Sequence, residues 1–100
     1  MVIVAGTISI DPMQLDAFDQ AVKAMIGGVR SEHGCIQYSL LVEDHVSGLI
    51  NVLEIWRDEN SLKVHLKQPA IVEFFTRFSP HITGMTAQLY DAENARPVPM

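Results

Sequence analysis

The sequence has few of the residues on which several classes of protein depend. Cys35 is its only cysteine, so no disulfide can form within the chain, as is usual in a reducing compartment. Seven lysine and arginine residues stand against twelve acidic residues, and the basic residues are scattered. Nucleic acids and anionic membranes bind clustered basic side chains, so this charge pattern favours neither partner.

Long apolar runs are also absent. No segment approaches the roughly 18 consecutive apolar residues that a membrane-spanning helix needs. Residues 1–7 lack the basic segment with which a secretory signal peptide begins. Together with the lone cysteine, these absences lead us to expect a cytoplasmic protein.

Motifs for metal binding and for nucleophilic catalysis are missing as well. The four histidines are far apart, and none pairs with another histidine or a cysteine at a metal-binding spacing. We therefore expect no metal site. Cys35 has no nucleophile motif around it, and small cysteines are often buried for packing alone. We expect Cys35 to be structural.

What the chain does contain is a regular succession of strand and helix patterns. Its 100 residues, 48% of them hydrophobic, are typical of one globular domain with some apolar surface left for a partner or ligand. Four segments show the two-residue period of a β-strand: 2–10, 35–43, 49–57 and 81–90. The third has apolar residues on both faces, so we expect both of its faces to be covered.

Two segments between these strands show a helical period. The first follows Asp11, a capping residue, and ends near Gly34. It contains Gly27 and Gly28, which predict either a close approach of the backbone to a neighbour or a kink. The second begins after Asp58 and is broken by Pro69. A further helical stripe follows the break and ends at Pro80; its apolar residues are Ile71, Phe74, Phe75 and Phe78.

The order of elements is β-α-β-β-α-β, which is typical of the ferredoxin-like arrangement. We therefore predict an α+β fold with a four-stranded antiparallel sheet and two helices on one face. The domain should span residues 1–92. Residues 93–100 contain two prolines and should form a C-terminal tail.

One group of residues has the chemistry of a site. Glu54 and Trp56 share a face of the third strand, and His65 lies two turns into the next helix. A strand–helix corner can bring these groups together at an apolar pocket, where imidazole and carboxylate move protons and the indole holds a flat ring. The alternatives are structural: Trp56 as plain core, Glu54 paired with a cation, and His65 half exposed on its helix.

The same residues carry a family resemblance. The segment 32–38 (Glu-His-Gly-Cys-Ile-Gln-Tyr) and the stretch from Glu54 to His65 resemble two motifs of antibiotic biosynthesis monooxygenase domains. The resemblance runs from Val2 to about Asp91. It implies a ferredoxin-like protomer that packs its sheet against that of a second copy, as a dimeric α/β barrel. The pocket would lie between each sheet and its own helices.

The resemblance also implies a function. It points to a homodimeric, cofactor-independent monooxygenase that uses O₂ on a small aromatic or quinol-type molecule. His65 would be the base, helped by Glu54, while Trp56 and Tyr38 would bind and orient the ring. No cofactor is expected, because the substrate supplies the electrons. An isomerase of a small carbonyl compound and a non-enzymatic ligand-binding dimer remain open as alternatives.

At two points the sequence differs from patterns found in the family, and each difference argues against some of the family's activities. Relatives often have a second histidine directly after the proline of the second helix, whereas here Pro69 is followed by Ala70. The haem-degrading branch uses an asparagine on the first strand and a further histidine on the second helix, and this chain has neither. The resemblance therefore does not extend to haem.

Overall fold

A computed structural model describes all 100 residues. Five strands and three α-helices follow one another along the chain: β1 (Val2–Ile10), α1 (Leu15–Arg30), β2 (Cys35–Asp44), β3 (Leu49–Trp56), α2 (Glu59–Leu66), α3 (Pro69–Phe78), β4 (Ile82–Met85) and β5 (Gln88–Asp91). The predicted ferredoxin-like α+β fold is confirmed. No helix combines the length and apolar character that crossing a membrane requires.

The strands form one antiparallel sheet in the order β2-β3-β1-β4, and β5 also pairs with β1. The central strands β1 and β3 run side by side, with Val4 opposite Glu54. On the other side of β3, Tyr38 lies opposite Glu54. Because side chains alternate along a strand, these three point to the same face of the sheet.

The prediction of four strands was wrong by one, because the last strand is interrupted. Gly6 on β1 has φ +148°, and a Cβ atom added there would lie 2.5 Å from the Cα atom of Ala87. Thr86 also turns its hydroxyl towards β1, where it accepts a hydrogen bond from the Thr7 N–H at 2.9 Å. The regular ladder therefore ends at Met85 and resumes at Gln88.

The break predicted at Pro69 is confirmed, and it yields two separate helices, so the chain has three helices where the fold prediction counted two. Gln68 has extended backbone angles (φ −61°, ψ 134°), and Pro69 begins α3 at a position that needs no N–H donor. Asp58 caps α2 as expected, since its carboxylate accepts a hydrogen bond of 2.7 Å from the Ser61 N–H.

The main core lies between the helices and one face of the sheet. Helix α1 contributes the predicted apolar stripe, of which Leu15, Phe18, Val22 and Val29 are buried. The close approach considered for Gly27 and Gly28 was wrong: both are exposed, and no atom lies within 4 Å of a Cβ atom added at either one. Both glycines lie within one continuous helix.

The opposite face of the sheet is open in the single chain. The molecule measures 39 × 34 × 20 Å, the thickness of two layers. On the open face Leu53 and Ile55 are half-buried, while Leu41 is 63% and Tyr90 52% exposed. The expectation that both faces of the third strand are covered is therefore not met within one chain. Residues 92–100 contain no helix or strand.

Candidate active site

Three rings from three different elements meet beneath α2. Tyr38 comes from β2, Trp56 from the end of β3 and His65 from α2, and they are 2%, 0% and 1% exposed. The His65 ring lies 4.7 Å from the Trp56 ring at an interplanar angle of 34°, and 5.3 Å from the Tyr38 ring. We call these three residues the polar aromatic cluster. The corner predicted from sequence does bring Trp56 and His65 together.

Glu54 joins this cluster through Trp56. The Trp56 Nε1–H donates a hydrogen bond of 3.1 Å to Oε1 of Glu54. The carboxylate forms no ion pair, which is contrary to the structural alternative in which Glu54 pairs with a cation. The indole instead fixes the orientation of the carboxylate.

The environment of Glu54 makes it harder to ionise than an ordinary glutamate. Burial raises the pKa of the Glu54 carboxyl group, while the hydrogen bond from Trp56 and the charge of His65 lower it. The nearby charge of Glu32 raises it again, and the net shift is upward. A carboxyl group of raised pKa in an apolar setting is typical of proton-transfer sites.

Sequence reasoning missed one member of the site, Glu32. Its Oε2 and Oε1 atoms lie 3.0 and 3.2 Å from Nδ1 of His65. An ionised carboxylate can only accept, so Nδ1 carries the proton in this bond. Glu32 is the first residue of the 32–38 motif, so its place in that motif was the one sequence feature that could have identified it. The structural alternative, a half-exposed His65, is wrong, because His65 is buried.

An apolar cavity of about 230 Å³ lies between the sheet and helices α2 and α3. Its lining is almost entirely hydrophobic: Val4, Ile8, Val52, Glu54, Leu62, Leu66, Phe75, Met85, Ala87, Gln88 and Leu89. Glu54 is the only ionisable residue among them. The cavity therefore presents one carboxyl group to anything that enters it.

The four residues predicted from sequence fall into two groups around this cavity. Glu54 lines it, whereas His65, Trp56 and Tyr38 do not. Trp56 is completely enclosed, in agreement with the core alternative. Burial and the charge of Glu54 raise the pKa of the Tyr38 hydroxyl, so Tyr38 stays neutral in this setting. The polar aromatic cluster thus packs behind Glu54 and does not line the cavity.

Other features of the chain offer less chemistry. A larger cavity of about 310 Å³ lies between α1 and α3, but its charged residues, Glu73 and Arg77, are both exposed. Burial raises the pKa of the Cys35 thiol, which disfavours the thiolate that a nucleophile needs. No group of three or more histidine, cysteine, aspartate or glutamate residues is placed to hold a metal ion.

The sequence of this chain is similar to those of known proteins over most of its length. The sequence profile of the family described as antibiotic biosynthesis monooxygenase matches residues 1–77, which include both motifs. A curated relative, an uncharacterized protein of Synechocystis, is 30% identical over 88 residues, or 88% of this chain. The chain spans 59% of the length of that relative.

Solved structures share the fold. A protein of Deinococcus radiodurans, named as a candidate antibiotic biosynthesis monooxygenase, superimposes with a TM-score of 0.83 over 98% of each chain at 22% identity. A conserved protein of Methanosarcina mazei gives a TM-score of 0.80 over 92% of each chain at 25% identity.

Proposed function

This chain belongs to the antibiotic biosynthesis monooxygenase family, and from that premise we propose that it is a cofactor-independent monooxygenase of a small aromatic or quinol-type substrate. One observation carries the proposal. Glu54, whose pKa is raised by burial, is the only ionisable residue that lines the apolar cavity. A poorly solvated carboxylate is an effective base towards a substrate that the same cavity shields from water.

In the proposed reaction, Glu54 removes a proton from the activated CH₂ carbon that a phenol or quinol has in its keto form, written R₂CH₂. The electron-rich anion gives one electron to O₂, and the resulting radical and superoxide combine into a carbon–oxygen bond. Glu54 returns its proton to the peroxide, and loss of water leaves a carbonyl group. R₂CH₂ and O₂ thus give R₂C=O and H₂O, and the substrate supplies all the electrons.

This proposal gives the predicted site residues different tasks from those expected. Glu54 takes the task of base that the sequence suggested for His65, because Glu54 faces the cavity and His65 does not. Trp56 orients the carboxylate through its Nε1–H instead of contacting the substrate ring. Tyr38 and His65 pack behind Trp56 and hold it in place.

The lining of the cavity favours a neutral, compact substrate. No lysine, arginine or histidine lines it, so nothing there would pair with a phosphate or carboxylate group. An engineered cavity of about 150 Å³ is large enough for benzene. A cavity of about 230 Å³ therefore suits one or two fused rings.

Oxygen consumption tests the proposal directly. We expect the protein to take up O₂ in the presence of two-ring quinols. The rate of uptake by the Glu54→Gln variant should be about 10²–10⁴-fold lower. Glu59→Gln is a matched control, because Glu59 lies exposed on α2 and pairs only with Lys63. Equal rates for wild type and Glu54→Gln would contradict the assignment of the base.

The same assay separates the two alternatives. An isomerase of a small carbonyl compound would exchange substrate protons with water through Glu54 without consuming O₂. A ligand-binding dimer would bind quinols without either reaction.

We also propose that the open face of the sheet packs against the same face of a second copy. The half-buried Leu53 and Ile55 and the exposed Leu41 form an apolar surface there, of the kind that partners commonly cover. The helices cover one face of β3, and the partner's sheet would cover the other, as the apolar residues on both faces of this strand indicate.

Light scattering tests this assembly. We expect a dimer at micromolar concentration and a monomer for Leu53→Glu, because a buried unpaired carboxylate would oppose the interface. Val72→Glu is the control, since Val72 is 50% exposed on α3, in the helix layer. A wild-type monomer would rule out the proposal.

A further inference from the structure

Glu32 occupies an unusual position between solvent and the buried cluster. Its side chain is 19% exposed, whereas His65, which it contacts, is 1% exposed. Glu32 also lines a cleft of about 250 Å³ beside Gly28 and Gln68, and this cleft shares no lining residue with the cavity that contains Glu54. Glu32 is therefore the point at which the cluster meets water away from the cavity.

An unbroken series of contacts joins Glu32 to Glu54. Glu32 accepts a hydrogen bond from His65 at 3.0 Å. The His65 ring lies against the Trp56 ring at 4.7 Å, and the Trp56 Nε1–H donates to Glu54 at 3.1 Å. Each contact orients the next group, because a ring that is held at its edge cannot rotate freely inside a packed core.

From this series we propose that Glu32 is a positioning residue for the Glu54 site. Glu32 fixes the tautomer and the orientation of His65, and through the Trp56 ring it sets the orientation and electrostatic environment of the Glu54 carboxylate. Part of this proposal rests on the proposed function, namely that the carboxylate so held is the base.

The electrostatic part of the coupling has a definite sign. The negative charge of Glu32 opposes ionisation of Glu54 and so helps to raise the pKa of that carboxyl group. Removing the charge of Glu32 should therefore favour loss of the proton from Glu54.

One cation lies near the cluster: the Arg30 guanidinium of α1 donates hydrogen bonds of 3.1 and 3.2 Å to the Tyr38 carbonyl oxygen. On β2, Tyr38 stays neutral because burial raises its pKa, and burial likewise keeps Cys35 a thiol. No charged side chain of α3 lines the cavity. The outcome of a charge change at Glu32 is thus not obscured by a second ion pair.

Trp56 makes the proposal testable without a substrate. It is the only tryptophan in the chain, and it touches both His65 and Glu54. Its fluorescence as a function of pH therefore reports proton loss from Glu54, to which it donates a hydrogen bond. In Glu32→Gln the amide oxygen can still accept the bond from Nδ1, but the charge is gone.

We expect the midpoint of the fluorescence change to move to lower pH in Glu32→Gln, because the charge that opposes ionisation of Glu54 is gone. The Glu59→Gln control, which removes the same charge from the surface of α2, should keep the wild-type midpoint. A Glu32→Gln midpoint equal to that of wild type would overturn the proposal.

A measurement on the unaltered protein covers the case in which Glu32→Gln does not fold. Nitrogen-15 NMR of the His65 ring should show the proton on Nδ1 in the neutral form, with the signal assigned by its loss in His65→Gln. A neutral ring protonated on Nε2 would overturn the proposal.

Turnover separates this inference from the proposed function. If the enzyme consumes O₂, Glu32→Gln should lower kcat and leave KM nearly unchanged, since Glu32 does not line the cavity. A midpoint shift without any turnover would support the coupling and count against the monooxygenase. If the protein turns over substrate but Glu32→Gln changes neither turnover nor the midpoint, the result would support the monooxygenase and count against the coupling.

Discussion

The layer between helices and sheet contains two aromatic clusters that differ in kind. Phe18, Phe74 and Phe78 form a phenylalanine cluster with ring centroids 5.1–5.3 Å apart. Every ring of the polar aromatic cluster carries a nitrogen or oxygen atom, and Glu32 and Glu54 contact its edges. The clusters are comparably buried, so the difference lies in their chemistry.

This contrast separates stability from function within a single core. Hydrocarbon rings lose nothing when they leave water, and their burial stabilises the fold. Buried polar atoms need partners, and a buried carboxyl group resists ionisation. The phenylalanine cluster is therefore expected to dominate the stability of the fold, and the polar cluster to hold its reactive group at some cost to stability.

The largest expected effect is in the phenylalanine cluster. Phe78→Ala should lower the free energy of unfolding by about 3–5 kcal/mol, because Phe78 is 1% exposed and its removal leaves a cavity. Urea denaturation monitored by circular dichroism measures this loss. A cost below about 1 kcal/mol would mean that the two clusters do not differ in the way described here.

A smaller effect is expected at the centre of the polar cluster. Trp56→Phe keeps an aromatic ring but removes the donor to Glu54, and leaving a buried acceptor without a partner costs about 1–3 kcal/mol. Because that hydrogen bond lowers the pKa of Glu54, the variant should raise this pKa further. Infrared titration of the carboxyl band would show it, and an unchanged titration would contradict the contact.

The pH dependence of stability follows from the raised pKa of Glu54. The folded chain holds this proton at pH values where the unfolded chain, with an ordinary glutamate pKa of about 4.3, has lost it. The contribution of Glu54 is therefore fully present below about pH 4.3 and is lost as pH rises through the folded-state pKa.

Glu54→Gln should remove the part of the stability loss with rising pH that Glu54 causes. It should also raise the melting temperature above that of wild type at neutral pH. Thermal unfolding of both proteins between pH 4 and 8 measures the difference. Parallel curves for the two proteins would show that Glu54 does not cause the decline.

The smallest expected effect concerns α1, which connects the two clusters. Its first half carries Phe18, and its last turns, with Gly27 and Gly28, lead to Glu32. Gly28→Ala should stabilise the protein by about 0.5–1 kcal/mol, because an added Cβ meets no atom within 4 Å. A loss of stability would show that the glycine is needed for close packing after all.

Much of the fold was predictable because its signals are local. Strict alternation predicted β1 with its observed bounds, and Asp58 and Pro69 marked helix boundaries through capping and the missing N–H. The interruption at Ala87 was not predictable in the same way. It depends on Gly6, eighty-one positions earlier, leaving room for the backbone of another strand.

The sequence predicted most of the residues that form the site, but it did not predict which of them face the cavity and which are buried behind it. Spacing on β3 and α2 correctly predicted that Trp56 and His65 lie close together. Periodicity cannot show which of two neighbouring groups faces a cavity, because that depends on how α2 and α3 lie over the sheet. It also could not identify Glu32 as the partner of His65, thirty-three residues away.

The pairing of β1 with β5 has a consequence for synthesis of the chain on the ribosome. Met1 and Ala92 exchange two backbone hydrogen bonds of 3.0 and 2.9 Å, so the first and last parts of the sheet close on each other. Throughout translation, β1 must wait with one edge unpaired until residues 82–91 have emerged. The edge of β1 is thus exposed to mispairing until residues 82–91 are available to cover it.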